Sequence, residues 1–443
     1  MNNSAATSGP PKVAAIACGG TGGHLFPGLA VGRELLRRGC AVTLLVSCKE
    51  IDRQAAAAAG EMAVVRLPAV GLGRGNAPGF LWRFWQSFRL SSVYFKKRPP
   101  HLVLAMGGFT AAPPILAGKR LGARTFLHES NTVPGRANRW LARGVDGAFV
   151  YFAAAGEGLR ARRIEVTGMP VREELLRLAP AAAARAALGL KADAPVLLVM
   201  GGSQGARKIN ELTAGILPQL LEAMPRLQFV HLTGPDDLEK VRAAYAARQC
   251  PAVVRAFLGE MALALAAADL AVSRAGASSL AEFAAVQLPA LLIPYPRAAG
   301  NHQYHNALAF ARSGAARALQ QDALSPGLLT QEILALLGDA ARRTAMRQAL
   351  RAWHFPEAAA QIADRMLHWT AADQCGVRPS PGAALLKGPA APGFGGRGGN
   401  PDVAAPGDGR TPAETPAATA RAQSLPDSLV SDPNAPKLGV LNV

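Results

Sequence analysis

The densest chemistry in the sequence lies at 268–306, ADLAVSRAGASSLAEFAAVQLPALLIPYPRAAGNHQYHN. Residues 270–272 are apolar, Ser273-Arg274-Ala275-Gly276 breaks the run, and helical spacing resumes with Ala277, Leu280, Ala281 and Ala284. A helix opening there turns the free amides of Ala277, Ser278 and Ser279 toward whatever lies beyond the strand end, a pattern suited to phosphate. The two serine hydroxyls add donors. Glu282 falls one helical turn past Ser278, where an ionised carboxylate can accept from both hydroxyls of a sugar diol. The same letters also spell a capping box, Ser279-x-x-Glu282, in which the carboxylate bonds back to its own helix end. Spacing alone leaves both readings open. A buried-pattern strand at 290–294 then leads to a polar turn and Asn301-His302-Gln303-Tyr304-His305-Asn306, amide side chains at another strand end.

Similar polar turns recur along the chain. An apolar run at 13–18 closes with Gly19-Gly20-Thr21-Gly22-Gly23-His24, followed by Pro27 and a helical pattern through Leu29, Ala30, Leu35 and Leu36. Glycines here let backbone amides approach an anion that a side chain would block. The dinucleotide fingerprint G-x-G-x-x-G is absent, and the next strand, 41–46, ends in Ser47-Cys48 without an acid for an adenosine ribose, which disfavours NAD. Further strands at 64–67, 102–105, 125–127 and 148–151 end in or near Gly71 to Gly75, Gly107-Gly108, and His128-Glu129-Ser130-Asn131. Because parallel strands share one carboxyl edge, these polar turns gather on one side of a sheet. The pattern then repeats: 163–167 leads to Gly168-Met169-Pro170-Val171-Arg172, and 196–200 stops at Gly201-Gly202-Ser203-Gln204-Gly205-Ala206. Strands at 229–232 and 253–258 carry this second half to the 268–306 segment, and helical patterns at 330–350 and 357–369 complete it.

The expected fold is therefore α/β, with two Rossmann-like parallel-sheet domains facing a cleft. The expected divisions are a disordered 1–11, a first domain at 12–165, a second at 166–352, a helix at 353–370 packing back on the first domain, and a disordered tail at 371–443. The tail is rich in Pro, Gly and Ala with few periodic apolar residues, too little to offset ordering entropy.

With 443 residues, half of them apolar, the chain can bury a substantial core. Its net charge of +18 suits an acidic surface, whether nucleic acid, anionic lipid or a phosphorylated substrate, although Arg in place of Lys in a GC-rich genome gives the same sum. The five cysteines form no CxxC, which argues against disulfides and zinc and for a reducing compartment. The sequence shows neither a signal-peptide core nor a run long enough to span a bilayer. The stretch GFLWRFWQSFRLSSVYFKKR interleaves Trp82, Trp85 and other aromatics with Arg83, Arg89, Lys96, Lys97 and Arg98. That pattern fits a helix lying in a lipid headgroup layer, and equally a helix whose rings face the sheet.

Taken in order, Gly19 to His24 with Pro27, Gly107-Gly108-Phe109, His128-Glu129-Ser130-Asn131, Gly168 to Arg172, Gly201 to Ala206, Ser273 to Glu282, and His302-Gln303 with Asn306 resemble the MurG family over 12–369. These are peripheral membrane glycosyltransferases that complete lipid II. The resemblance implies a GT-B fold and inverting transfer of GlcNAc from UDP-GlcNAc to the C4 hydroxyl of MurNAc on undecaprenyl-diphosphate-linked muramoyl pentapeptide (lipid I). By position it gives Glu282 the uridine ribose, Ser203, Ser278 and Ser279 the diphosphate with Gln204 and Ala277 beside them, and the Leu258 backbone the uracil. Gln303 takes the GlcNAc hydroxyls, and Arg172, Asn131 and Thr21-Gly22-Gly23 match further donor-site positions. Such a reaction needs a base: His24 is the candidate and Glu129 the alternative, with a merely bracing His24 as the plain reading. No DxD-like acidic pair sits near a strand end, so no metal or other cofactor is expected. Implied partners are UDP-GlcNAc, lipid I, the anionic inner face of the cell membrane, and cell-wall synthesis or division proteins, with no nucleic acid. Met169, Ser130 and Phe109 stand where the family usually has Asn, Gln and Tyr, each removing a polar group expected near the cleft. Competing readings are a diacylglycerol glycosyltransferase, a UDP-GlcNAc epimerase and a non-enzymatic scaffold.

Overall fold

The computed structural model describes residues 11–19, 22–47, 59–68, 77–202 and 205–370; Thr21, Cys48, Gly71 to Gly75, Ser203, Gln204 and the 371–443 segment lie outside them. Among the described residues, β1 (Val13–Ala17), β2 (Ala41–Ser47), β3 (Ala63–Leu67), β4 (Leu102–Ala105), β5 (Arg124–Glu129), β6 (Gly147–Val150) and β7 (Ile164–Val166) form one parallel sheet in the order β3-β2-β1-β4-β5-β6-β7. A second parallel sheet joins β8 (Val196–Met200), β9 (Gln228–Leu232), β10 (Ala252–Arg255), β11 (Leu270–Ser273), β12 (Ala290–Leu292) and β13 (Arg317–Ala318) in the order β10-β9-β8-β11-β12-β13. Strands buried on both faces read as continuous apolar runs, as VAAIA in β1 and VLLVM in β8 do. In each sheet the chain reverses direction across the first strand, between β1 and β4 and between β8 and β11. Ligands of such sheets collect in the crevice beyond that switch point. The crevices here are bordered by Gly19 and Gly107 in the first sheet, and by Gly201 and the Ala275-Gly276 turn in the second.

Five helices frame the site: α1 (Gly22–Arg37), α2 (Ala77–Lys97), α3 (Ala277–Val286), α4 (His302–Arg312) and α5 (Ala358–Leu367). Of the polar segment 301–306, Asn301 caps α4 and 302–306 are its first residues, so Gln303 and Asn306 lie on successive turns of one helix. The helical pattern at 330–350 is two helices, Pro326–Gly338 and Ala340–Arg351. Asp339 separates them because its carboxylate caps the second, accepting from Arg342 N at 2.8 Å. Strand β13 was not expected; two residues are too short for a period to show.

Helix α2 has one face packed on the sheet and one face exposed. Ser87, Ser91 and Phe95 are buried against the first sheet, with Phe84, Phe88 and Tyr94 partly buried there. Leu81, Trp82, Trp85, Leu90 and Val93 are exposed, Trp82 by 58% and Trp85 by 47%. The two indoles stack at 5.1 Å, and Arg89 lies over Trp85 at 5.6 Å. Phe109 packs edge-on to Phe80 of α2 at 5.5 Å rather than facing the cleft. Helix α5 closes the lower core of the first sheet with Ile362, Ala363 and Met366, followed by Trp369, whose ring meets Phe126 edge-on at 5.1 Å. Arg38, just past the end of α1, holds Asp364 of α5 at 2.7 Å. No helix among the described residues is long and apolar enough to cross a membrane.

Candidate active site

His24 stands on the first turn of α1, beyond β1. It is half-buried, and its Nδ1 is enclosed with no hydrogen-bond partner. The ring rests directly on Gly107, whose φ of 121° suits glycine. A Cβ at that position would lie 2.7 Å from His24 Cε1 and 2.9 Å from Nδ1. Gly107→Ala is therefore expected to push the imidazole out of place and to lower the rate of any reaction that uses it by about 10²-fold; steady-state kinetics check this. Burial holds the His24 pKa below the ordinary imidazole value; the Glu129 charge and the nearby Met106 main chain oppose that shift, and His302 adds to it.

Glu129 ends β5 and is buried. Its Oε1 accepts from Asn131 N at 2.9 Å and Asn131 Nδ2 at 3.2 Å, and its Oε2 from Gly135 N and Asn138 Nδ2, both at 2.9 Å. Four donors saturate the carboxylate, which thereby fixes the 129–138 loop. Asn131 is engaged as well: Nδ2 also meets Ser130 Oγ at 3.3 Å, and Oδ1 accepts from Asn306 Nδ2 at 3.1 Å. His128 bonds the Gly168 carbonyl at 2.9 Å. Met169 is buried in the core of the second half, in the same cluster as Ala275 and Ala277.

Across the cleft, α3 begins after Gly276, which gives no side-chain cap. Ser279 is the third residue of the helix and not its cap, and this removes the capping-box reading. Glu282 is buried, with Arg172 Nε 3.4 Å from its Oε1. Burial raises the Glu282 pKa and Arg172 partly offsets it. The Arg172 guanidinium also lies 3.8 Å from the Phe26 ring centroid and reaches the Gly259 carbonyl at 3.4 Å, next to Leu258. Ala277 is buried, and Ser278 and Ser279 are half-buried. Ser278 Oγ donates to the Gly23 carbonyl of the first half at 3.0 Å, beside His24. Gln303 Oε1 accepts from Tyr295 N at 2.9 Å, which leaves its amide nitrogen for a ligand. Arg274, with three bonds to the Ile293 and Pro294 carbonyls and Gln321, holds the loop that carries Tyr295.

The structure thus brings His24, Gly23, Arg172, Ser278, Ser279 and Glu282 to one place, with Asn131 and Gln303 at its flanks. Thr21, Ser203 and Gln204 lie outside the described residues. Sequence reasoning missed Phe26, whose only signal is its place two residues after His24, and the bridging role of Asn306. Among the described residues no group of three or more His, Cys, Asp or Glu side chains is arranged to hold a metal.

Two family models cover most of this architecture: the glycosyltransferase family 28 N-terminal domain matches 14–150 and the family 28 C-terminal domain matches 196–365. A UDP-N-acetylglucosamine–N-acetylmuramyl-(pentapeptide) pyrophosphoryl-undecaprenol N-acetylglucosamine transferase of Geobacter sulfurreducens is 38% identical over 358 residues, 80% of this chain and 97% of the relative. One of the same name from Xanthomonas campestris is also 38% identical, over 80% of this chain and 81% of its own. The crystal structure of Acinetobacter baumannii MurG superposes with a TM-score of 0.62 at 28% identity, covering 81% of this chain and 99% of that one. A putative UDP-N-acetylglucosamine 2-epimerase of Listeria monocytogenes, 15% identical with a TM-score of 0.60 over 80% of this chain and 96% of its own, shares the fold alone.

Proposed function

Because this chain belongs to glycosyltransferase family 28, among its UDP-N-acetylglucosamine–N-acetylmuramyl-(pentapeptide) pyrophosphoryl-undecaprenol N-acetylglucosamine transferases, we propose that it holds UDP-GlcNAc on its second half and presents lipid I from its first. The reaction is transfer of GlcNAc from UDP-GlcNAc to the undecaprenyl-diphosphate-linked muramoyl pentapeptide. In this reading His24 takes the proton of the MurNAc C4 hydroxyl as that oxygen attacks the anomeric carbon from the face opposite UDP, so the configuration inverts. The negative charge left on the diphosphate falls on the amides of Ala277 to Ser279 and the hydroxyls of Ser278 and Ser279. Ser203 and Gln204, which follow β8 in the sequence, join them in this reading. Glu282 holds the ribose, the Leu258 main chain the uracil and Gln303 the GlcNAc hydroxyls. Arg172, Asn131 and Thr21-Gly22-Gly23 border the donor. Glu129 fixes the loop facing His24; with all four acceptor positions taken, it is the weaker candidate for the base.

One observation supports this most: a buried carboxylate, Glu282, with Arg172 beside it at 3.4 Å, lies inside the helix whose Ser278 hydroxyl reaches the Gly23 carbonyl next to His24. UDP release measured with and without a lipid I analogue tests the proposal. Release only with acceptor is expected; turnover of UDP-GlcNAc without acceptor would instead favour an epimerase.

The exposed face of α2 is the proposed contact with an anionic membrane, with its indoles entering the headgroup layer and its cations on the lipid phosphates. In this reading the protein sits peripherally on the cytoplasmic face of the cell membrane, with 12–165 as the acceptor and membrane domain and 166–352 as the donor domain. Trp82→Ser with Trp85→Ser is expected to abolish cosedimentation with vesicles containing anionic lipid while sparing UDP binding. Unchanged cosedimentation would remove α2 from the contact. Cell-wall synthesis or division proteins are the further partners proposed.

A further inference from the structure

We propose that Asn306 is a positioning residue that fixes the separation between the loop facing His24 and the phosphate-side turn; this rests on the donor and acceptor sites proposed above. Asn306 lies on the second turn of α4 and is fully buried. Its amide has two acceptor and two donor positions, and all four are used across the two halves. Oδ1 accepts from Thr132 N at 2.9 Å and Thr132 Oγ1 at 2.8 Å; Nδ2 donates to Asn131 Oδ1 at 3.1 Å and to the Ala275 carbonyl at 3.2 Å. The orientation of the amide is set by its partners, because a main-chain N–H can meet only the oxygen and a main-chain carbonyl only the nitrogen.

Through these bonds a continuous line runs from the Glu129 carboxylate to Asn131, to Asn306 and to Ala275. Its first end is the loop after β5. Its last is the turn that opens into Ala277, Ser278 and Ser279. A second link between the halves, Ser278 Oγ to the Gly23 carbonyl, flanks the same turn. The two links differ in kind. The Ser278 hydroxyl is one the proposed diphosphate needs, so that link is given up when the donor arrives. The Asn306 side chain contributes no atom to the proposed ligands, so its link persists through the reaction. The distance between the acceptor hydroxyl and the anomeric carbon is then referred to Asn306, and displacement of a reacting group by about 1 Å costs roughly 10²-fold in rate.

The test is Asn306→Asp in the full chain. The introduced carboxylate keeps an acceptor for Thr132 but turns an oxygen toward Asn131 Oδ1 and the Ala275 carbonyl, two acceptors. Expected is a fall in kcat of about 10²-fold with KM for UDP-GlcNAc within about threefold of wild type. As pH falls, protonation lets the introduced carboxyl donate again, so the ratio of variant to wild-type kcat rises, a trend that loss of fold alone would not give. Thr132→Val keeps the shape, removes one of the four bonds, and is expected to lower kcat by about fivefold at unchanged Tm; it decides the matter if the aspartate variant does not fold. The role is overturned if folded variants keep wild-type kcat, or if kcat and donor affinity fall equally. Wild-type UDP release with the lipid I analogue is the control. Its absence refutes the assigned reaction, whereas wild-type turnover with unaffected variants refutes the Asn306 role alone.

Discussion

His24→Ala lowers kcat by roughly 10²- to 10⁴-fold while UDP still binds, if the imidazole takes the acceptor proton. The range follows from what the ring does: without it, the hydroxyl must lose its proton to water while the amides of Ala277 to Ser279 still stabilise the leaving group. The pH profile carries a second mark. Burial holds the His24 pKa below the ordinary imidazole value, so the ring is neutral, and able to accept a proton, at pH values where an exposed histidine is already charged. The acid limb of kcat/KM attributable to His24 therefore falls below about pH 6.5. That limb should vanish in His24→Ala. Near-normal turnover of the variant would take the base role away from His24 and leave it as a brace beside Gly107.

Glu282→Gln is expected to weaken UDP-GlcNAc by about 10- to 100-fold, since hydrogen bonds to a charged acceptor contribute about 1.5–3 kcal/mol. Acceptor KM should hardly move. Glutamine is the informative replacement, because it removes the charge but keeps an acceptor oxygen beside Arg172, whereas alanine would leave the guanidinium with no acceptor there. The pH sign runs opposite to that of a paired surface acid. Burial raises the Glu282 pKa, so the empty site prefers the neutral carboxyl, and the carboxyl favours the folded state progressively more as pH falls through that raised value. Ribose binding needs the ionised form. Donor KM in the wild type should thus begin to rise on acidification above the ordinary glutamate value of about 4.3, and Glu282→Gln should abolish that dependence. Equal loss of donor and acceptor affinity would argue for a purely structural carboxylate.

The strands were legible because burial on both faces writes itself as uninterrupted apolar runs, and the turns because glycine and polar residues follow each run. From those two signals came both sheets and the edge on which His24, Asn131, Arg172, Ser278 and Glu282 meet. Pairings between distant segments were not legible. Nothing local to Asn306 points 174 positions away to Thr132, and nothing near Phe26 announces the Arg172 guanidinium over its ring. Glu282 shows the limit most clearly. Ser279-x-x-Glu282 carries the letters of a cap, yet α3 starts two residues earlier, at Ala277, because Gly276 ends the preceding turn. The fate of one carboxylate depended on where a helix begins, a boundary that periodicity fixes only within a turn.

Helix α5 has a consequence for how the protein is made. Gly147 in β6 leaves its space to Trp369, since a Cβ there would stand 2.5 Å from the indole, and Ile362, Ala363 and Met366 complete the layer beneath β1 and β4. The lobe translated first must therefore wait, with that surface uncovered, until residues more than two hundred positions later have left the ribosome. A fragment ending near residue 165 should aggregate, and supplying 353–370 as a separate peptide should restore its solubility.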